Sequence, residues 1–87
     1  MASLKIKLVN GDEVIAKITP AIEYAFEQHA GKGFYKAVTE DQKQSDIYWI
    51  AWKCLLISGA AGDLKPFGEK FLETLESVDV IDDSPKE

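Results

Sequence analysis

The chain has 87 residues, 46% hydrophobic and 29% charged, with one cysteine, one histidine and a formal net charge of −5. That length describes one small domain, because globular chains divide only at roughly twice this size. One cysteine and one histidine exclude an internal disulfide and a His/Cys metal cluster, and a negative charge carried with ten lysines and no arginine argues against a nucleic-acid partner.

In chain order, Leu4-Lys5-Ile6-Lys7-Leu8-Val9 alternates apolar and polar residues and leads into Asn10-Gly11, two residues that tolerate positive φ. The pattern predicts a β-hairpin closed by a two-residue turn. The return strand, Glu13 to Ile18, puts Val14, Ala16 and Ile18 on the face of Leu4, Ile6 and Leu8. A lone hairpin is marginal in water, so this face requires helices against it. Thr19-Pro20 reads as an N-cap with proline at the first helical position, opening a helix from about Pro20 to Ala30 that Gly31 and Gly33 end. Its apolar side is Ile22, Ala25, Phe26 and His29, with Glu23 and Glu27 outward. Phe34 to Val38 reads as a further helical turn.

Thr39 and Gln42 have capping-box spacing, which predicts the longest helix from near Glu40 to Ser58, closed by Gly59. Its second half, Ile47 to Ile57, is apolar nearly all round and interrupted only by Lys53. Such a helix is buried on every side or serves two surfaces. Ile47, Ile50, Ala51, Cys54 and Leu55 make one stripe, and Tyr48, Trp49, Trp52 and Leu56 lie beyond it. Gly59 to Lys65 reads as a flexible connection, and a last helix is expected from Pro66 to Leu75 with Phe67, Phe71, Leu72 and Leu75 inward. Ser77 to Ile81 fits an extended segment and an irregular end equally well. Residues 1–68 hold eight acids and eight lysines, so the whole net charge lies in the last 19 residues. The expectation is an α+β fold, an N-terminal β-hairpin packed on about three helices, with a domain over 1–81 and an acidic disordered tail over 82–87.

No residue pattern points to catalysis. Cys54 sits in an apolar stripe where a thiol is usually an inert filler, and His29 near a helix C-terminus has an ordinary charge–dipole role. The acid pairs Asp12-Glu13, Glu40-Asp41 and Asp82-Asp83 fall at a turn, a helix start and a tail. Gly31-Lys32-Gly33 lacks the rest of a phosphate loop, and Gly59-Ala60-Ala61-Gly62 lacks the positive surroundings of a nucleic-acid clamp. The surplus is aromatic: nine rings in 87 residues, with Tyr48, Trp49 and Trp52 on one helix. Two readings stay open, a core built on two tryptophans or a contact surface of Tyr48, Trp49, Trp52 and Leu56. Both lead to a small interaction protein with no catalytic, cofactor-binding or metal-binding residue. The longest apolar run is far short of the roughly 20 residues that span a bilayer, and the N-terminus lacks the apolar core of a signal peptide, so a cytosolic chain without a membrane partner is expected. A chain this short buries only about 60% of its unfolded surface, which favours a homo-oligomer.

The strings Ile18-Thr19-Pro20, Tyr24-Ala25-Phe26-Glu27, Gly33-Phe34, Lys65-Pro66-Phe67-Gly68 and Phe71 to Val78, and above all Gln44-Ser45-Asp46-Ile47-Tyr48-Trp49-Ile50-Ala51-Trp52, remain. Together they resemble the small tail assembly chaperones of long-tailed bacteriophages, especially those infecting actinobacteria. The resemblance spans roughly residues 18–83. It implies a non-enzymatic protein of the host cytoplasm that coats the tape measure protein, keeps it soluble and is absent from the mature virion. It also implies a longer form, made by programmed frameshifting, that recruits the tail tube protein. Ser84-Pro85-Lys86 can be encoded as a slippery heptamer of the X XXY YYZ kind, and sequencing of the gene tests this. The alternative from another class is a structural virion component or adaptor at the tail or head–tail joint.

Overall fold

The computed structural model describes residues 2–59 and 64–82. Strand β1 (Ala2–Leu8) and strand β2 (Glu13–Lys17) form the antiparallel hairpin, with Ile6 opposite Val14 and Leu4 opposite Ala16. The alternation therefore delivers the expected face, and Leu4, Ile6, Ala16 and Ile18 are buried on it. The turn differs from the two-residue expectation. Leu8 and Asp12 face each other across a three-residue loop in which the Leu8 N–H donates to the Asp12 carbonyl (2.9 Å) and the Gly11 N–H to the Leu8 carbonyl (3.0 Å). Gly11 alone takes positive φ, at 100°, and the Asn10 side chain instead accepts from the Asp12 N–H (2.8 Å). This is the loop in which a glycine bulge follows an ordinary turn, so Asn10 needs no left-handed backbone.

Helix α1 (Pro20–Ala30) matches its sequence signals at both ends. The Ile22 N–H reaches Thr19 Oγ1 (3.4 Å), proline stands at the first position, and Gly31 closes the helix at φ 72°. Ile22 and Phe26 are buried. Helix α2 (Phe34–Lys36) has no side-chain cap of its own, and Glu27 of α1 supplies one by accepting from the Phe34 N–H (2.9 Å).

The capping box expected at Thr39 and Gln42 does not form. Residues Ala37–Asp41 continue from α2 as a π-helical turn, the Thr39 hydroxyl donates back to the Tyr35 carbonyl (2.7 Å), and Gln42 at φ 48° ends the turn with its N–H on the Ala37 carbonyl (2.8 Å). The longest helix, α3 (Gln44–Ser58), starts four residues later than near Glu40 because Thr39 already belongs to the preceding turn. Ile47, Ile50, Ala51, Cys54 and Leu55, the predicted stripe, are all buried, and Gly59 caps the helix at φ 72°.

Helix α4 (Glu69–Glu73) is shorter than Pro66 to Leu75. The Thr74 N–H and hydroxyl both turn back to the Phe71 carbonyl, and the Thr74 carbonyl is taken by the Val9 N–H (3.0 Å), so the sheet draws the chain out of the helix. Phe71 is buried as expected, whereas Phe67 lies at the surface. The extended alternative holds for the C-terminal segment: β3 (Leu75–Asp82) pairs antiparallel with β1, with a register shift beside Leu8. Asp82, expected in the tail, belongs to this strand. Met1, residues 60–63 of the expected flexible connection and residues 83–87 of the expected tail lie outside the described residues.

The sheet order is β2-β1-β3, with the helices packed on its apolar face. This is an α+β fold with an N-terminal hairpin, and its core joins Leu4 and Ile6 to Phe26, Ile50, Leu55 and Phe71, all nearly or wholly removed from solvent. Each such side chain contributes about 1.5–3 kcal/mol by burial.

Candidate functional site

Helix α3 carries Tyr48, Trp49, Trp52 and Leu56, and the structure divides them. Trp49 is 8% exposed and belongs to the core. His29 of α1 stacks flat on it, with ring centroids 4.4 Å apart and planes within 6°, and Phe26 lies at 6.1 Å. The sequence left Trp49 open between core and contact surface because one helix period cannot show that α1 packs against that side. The contact also accounts for His29, which is exposed in itself yet covers the indole.

Trp52 is half-buried. Its Nε1–H donates to the Lys65 carbonyl (2.9 Å), tying α3 to the segment before α4. Its ring meets Trp49 at 6.0 Å and Phe67 edge-on at 6.0 Å, and Phe67 meets Phe71 at 6.1 Å. With Phe26 and Phe34 at 5.7 Å, six rings form one chain from α2 through α1 and α3 to α4. Each offset or edge pair contributes about 0.5–1.5 kcal/mol beyond its area. The Lys53 ammonium lies 6.0 Å from the Trp49 ring and 5.8 Å from the Trp52 ring, so the single charge in the apolar run is held over two π faces.

Tyr48, Trp52 and Leu56 follow one another at intervals of four, and so form a ridge along α3. Tyr48 is half-buried beside Leu72, Leu75 and Glu76, where it borders a shallow notch of about 110 Å³. Leu56 is 47% exposed. Phe67 widens the ridge at its middle. Phe67 was missed as a surface residue because its place was assigned from a helix that does not extend that far.

Cys54 and the cluster of Lys32, Lys36, Asp41 and Asp46 lie outside this ridge. Burial raises the Cys54 thiol to about 11, away from the thiolate that a nucleophile needs. Lys32 bridges Asp46 (2.8 Å) and Asp41 (3.2 Å), and Lys36 also reaches Asp41 (3.3 Å), which fastens the π turn and the start of α3 to the loop after α1. The Asp46 and then the Asp41 carboxylates hold the Lys32 ammonium above its usual range, and Lys32 followed by Lys36 holds Asp41 below the carboxylate range. Among the described residues no group of three His, Cys, Asp or Glu side chains is placed to hold a metal ion, and no helix is long and apolar enough to cross a membrane.

These features define a small α+β domain whose aromatic chain passes through an apolar ridge on one helix. Compared with protein families, curated proteins and solved structures, the chain matches none.

Proposed function

We propose that the protein is a tail assembly chaperone of a long-tailed bacteriophage, which binds amphipathic helices of the tape measure protein and keeps them soluble during tail morphogenesis. The observation that carries this reading is the ridge Tyr48, Trp52 and Leu56, flanked by Phe67, on the helix that bears the Gln44-to-Trp52 string. A row of large apolar side chains one turn apart suits the groove and apolar stripe of another helix. Many weak copies along a long tape measure chain would act together, so modest affinity per copy suffices. Trp49, in this reading, supports the ridge from beneath and does not touch the partner. The protein acts without catalysis or cofactor, in the host cytoplasm, and is absent from the mature virion. A frameshifted longer form adds the recruitment of tail tube protein.

The test is co-expression with the tape measure protein of the same genome, for the unaltered chain and for Leu56→Glu, with folding followed by circular dichroism. The unaltered chain is expected to hold the tape measure protein in the soluble fraction, and Leu56→Glu to melt normally but release it to the pellet. Equal solubilisation by both chains, or by neither, overturns the reading. If mass spectrometry of purified particles also finds the protein in stoichiometric amount, it is a structural virion component.

A further inference from the structure

We infer that β2 forms a two-fold antiparallel dimer through its free edge, centred on Ile15, independently of what α3 binds. Strand β2 stands at one end of the sheet order, so its outer edge has no strand partner among the described residues.

The hydrogen-bond parity decides which groups face that edge. The Leu8 N–H donates to Asp12, so the pairs Ile6–Val14 and Leu4–Ala16 are the hydrogen-bonded ones of the hairpin by strict alternation. Glu13, Ile15 and Lys17 then point their main-chain N–H and C=O groups outward. A second β2 laid antiparallel with Ile15 against Ile15 uses these groups alone, in about six main-chain hydrogen bonds.

The same register matches the side chains. Glu13 falls opposite Lys17 of the second copy, and Lys17 opposite its Glu13, with the two Ile15 side chains between these ion pairs. Ile15 is 59% exposed in the single chain, an unusual place for a β-branched apolar residue on an edge strand. Glu13 already has Lys5 at 3.6 Å on its other side, so in the dimer it lies between two ammonium groups. The other edge strand has no such symmetry. Strand β3 carries three acids and no lysine, so two copies of β3 repel. The pairing therefore closes as a dimer and does not propagate.

On the helix side, an open groove of about 300 Å³ runs beside β2, lined by Val14, Ala16, Ile22, Cys54 and Ile57. A two-fold axis through Ile15 and normal to the sheet places both helical layers on one face of a six-stranded sheet. The two grooves then flank the axis, each with an exposed Ile57 at its rim.

Sedimentation equilibrium of the purified chain tests the dimer, with no tape measure protein present. The unaltered chain is expected to show a reversible monomer–dimer equilibrium. Lys17→Glu, which opposes Glu13 with glutamate, is expected to weaken it at least tenfold, and the charge-swapped double variant Glu13→Lys/Lys17→Glu to restore it. Ile15→Pro removes an outward N–H and leaves the β1 pairing intact, so it is expected to give a monomer that melts near the unaltered temperature. An independent measurement uses Ile15→Cys. Paired residues of this kind lie about 5.5 Å apart at Cα, within disulfide range, so mild oxidation is expected to give a covalent dimer, while Tyr35→Cys at an exposed distant site stays monomeric. A chain that is monomeric at all concentrations, a dimer indifferent to Lys17→Glu, growth beyond the dimer, or equal cross-linking at Tyr35→Cys overturns the inference. Any of these leaves the solubilisation test of α3 unaffected.

Discussion

Truncating Trp49 separates the two roles that large aromatic residues play on α3. In Trp49→Ala the indole is removed from a site only 8% exposed, leaving the flat contact with His29 at 4.4 Å and the approaches of Phe26 and Trp52 at 6.1 and 6.0 Å without a partner. Loss of a buried tryptophan costs about 3–5 kcal/mol through lost transfer energy and the cavity left behind. A domain of this length has a total stability on the order of 4–13 kcal/mol, at roughly 0.05–0.15 kcal/mol per residue. The variant is therefore expected to lose about a quarter or more of its stability and to melt at least about 12 °C lower, at roughly 4 °C per kcal/mol for a small domain. Guanidinium unfolding followed by far-ultraviolet circular dichroism is the assay, because it does not depend on the fluorophore that the substitution deletes. Leu56→Ala serves as the contrast and is expected to change stability by about 0.5 kcal/mol or less, as most exposed sites do. A Trp49→Ala variant within about 1 kcal/mol of the unaltered chain would refute the placement of Trp49 in the core, and with it the division of the ridge from its support.

Gln42→Gly relieves a left-handed backbone at a residue with a Cβ, φ 48°, and is expected to stabilise the domain by about 0.5–1 kcal/mol in the same unfolding assay; a loss would mean that the Gln42 amide contact to the Thr39 carbonyl outweighs the strain. The Asp41 carboxyl lies below its ordinary 3.8 when folded, so its stabilising contribution is present above that pH and drains away as the pH falls through the folded value. Asp41→Asn is expected to flatten the acid side of the stability profile below about pH 4, and an unchanged slope in acid titration would show that the contacts to Lys32 and Lys36 do not persist in solution. Cys54, with its thiol raised to about 11 and its side chain buried, is expected to react with iodoacetamide at pH 8 far more slowly than the same thiol in denaturant; comparable rates by mass spectrometry would place it at the surface.

The legible parts of the fold are those where a local rule has no competitor. Thr19, Pro20 and Gly31 bound α1 because capping depends on neighbouring backbone groups alone. The faces of β1 and β2 follow from a period of two, which no distant contact can change without turning the strand over. The turn between them was less legible, since Asn-Gly permits a two-residue loop and alternation does not count loop residues. Thr39 and Gln42 illustrate a different limit. A capping-box spacing has meaning only if the chain enters from a non-helical segment, and here it enters from a helical turn whose interior already uses the Thr39 hydroxyl. The end of α4 is set by a bond to Val9, more than sixty residues away in sequence.

The same distinction explains what was legible in the ridge. The second half of α3 is apolar nearly all round, so the pattern allows burial on every side or two surfaces and does not show which residue lies where. Ile47, Ile50, Ala51, Cys54 and Leu55 face the sheet and interior, and the second surface is divided by α1. Where His29 stacks on it, Trp49 is interior; farther along α3, Trp52 is half-buried and Leu56 exposed. Lys53 marks that boundary, with its ammonium over both indoles, 6.0 Å from the Trp49 ring and 5.8 Å from the Trp52 ring. The aromatic surplus is thus divided between the core and the surface of the domain. The inner rings pack along α3, and Trp52 is held by its bond to the Lys65 carbonyl and by two neighbouring rings; under the proposed function such a side chain would lose little freedom on meeting a partner helix, which favours it over a freely rotating side chain of equal area.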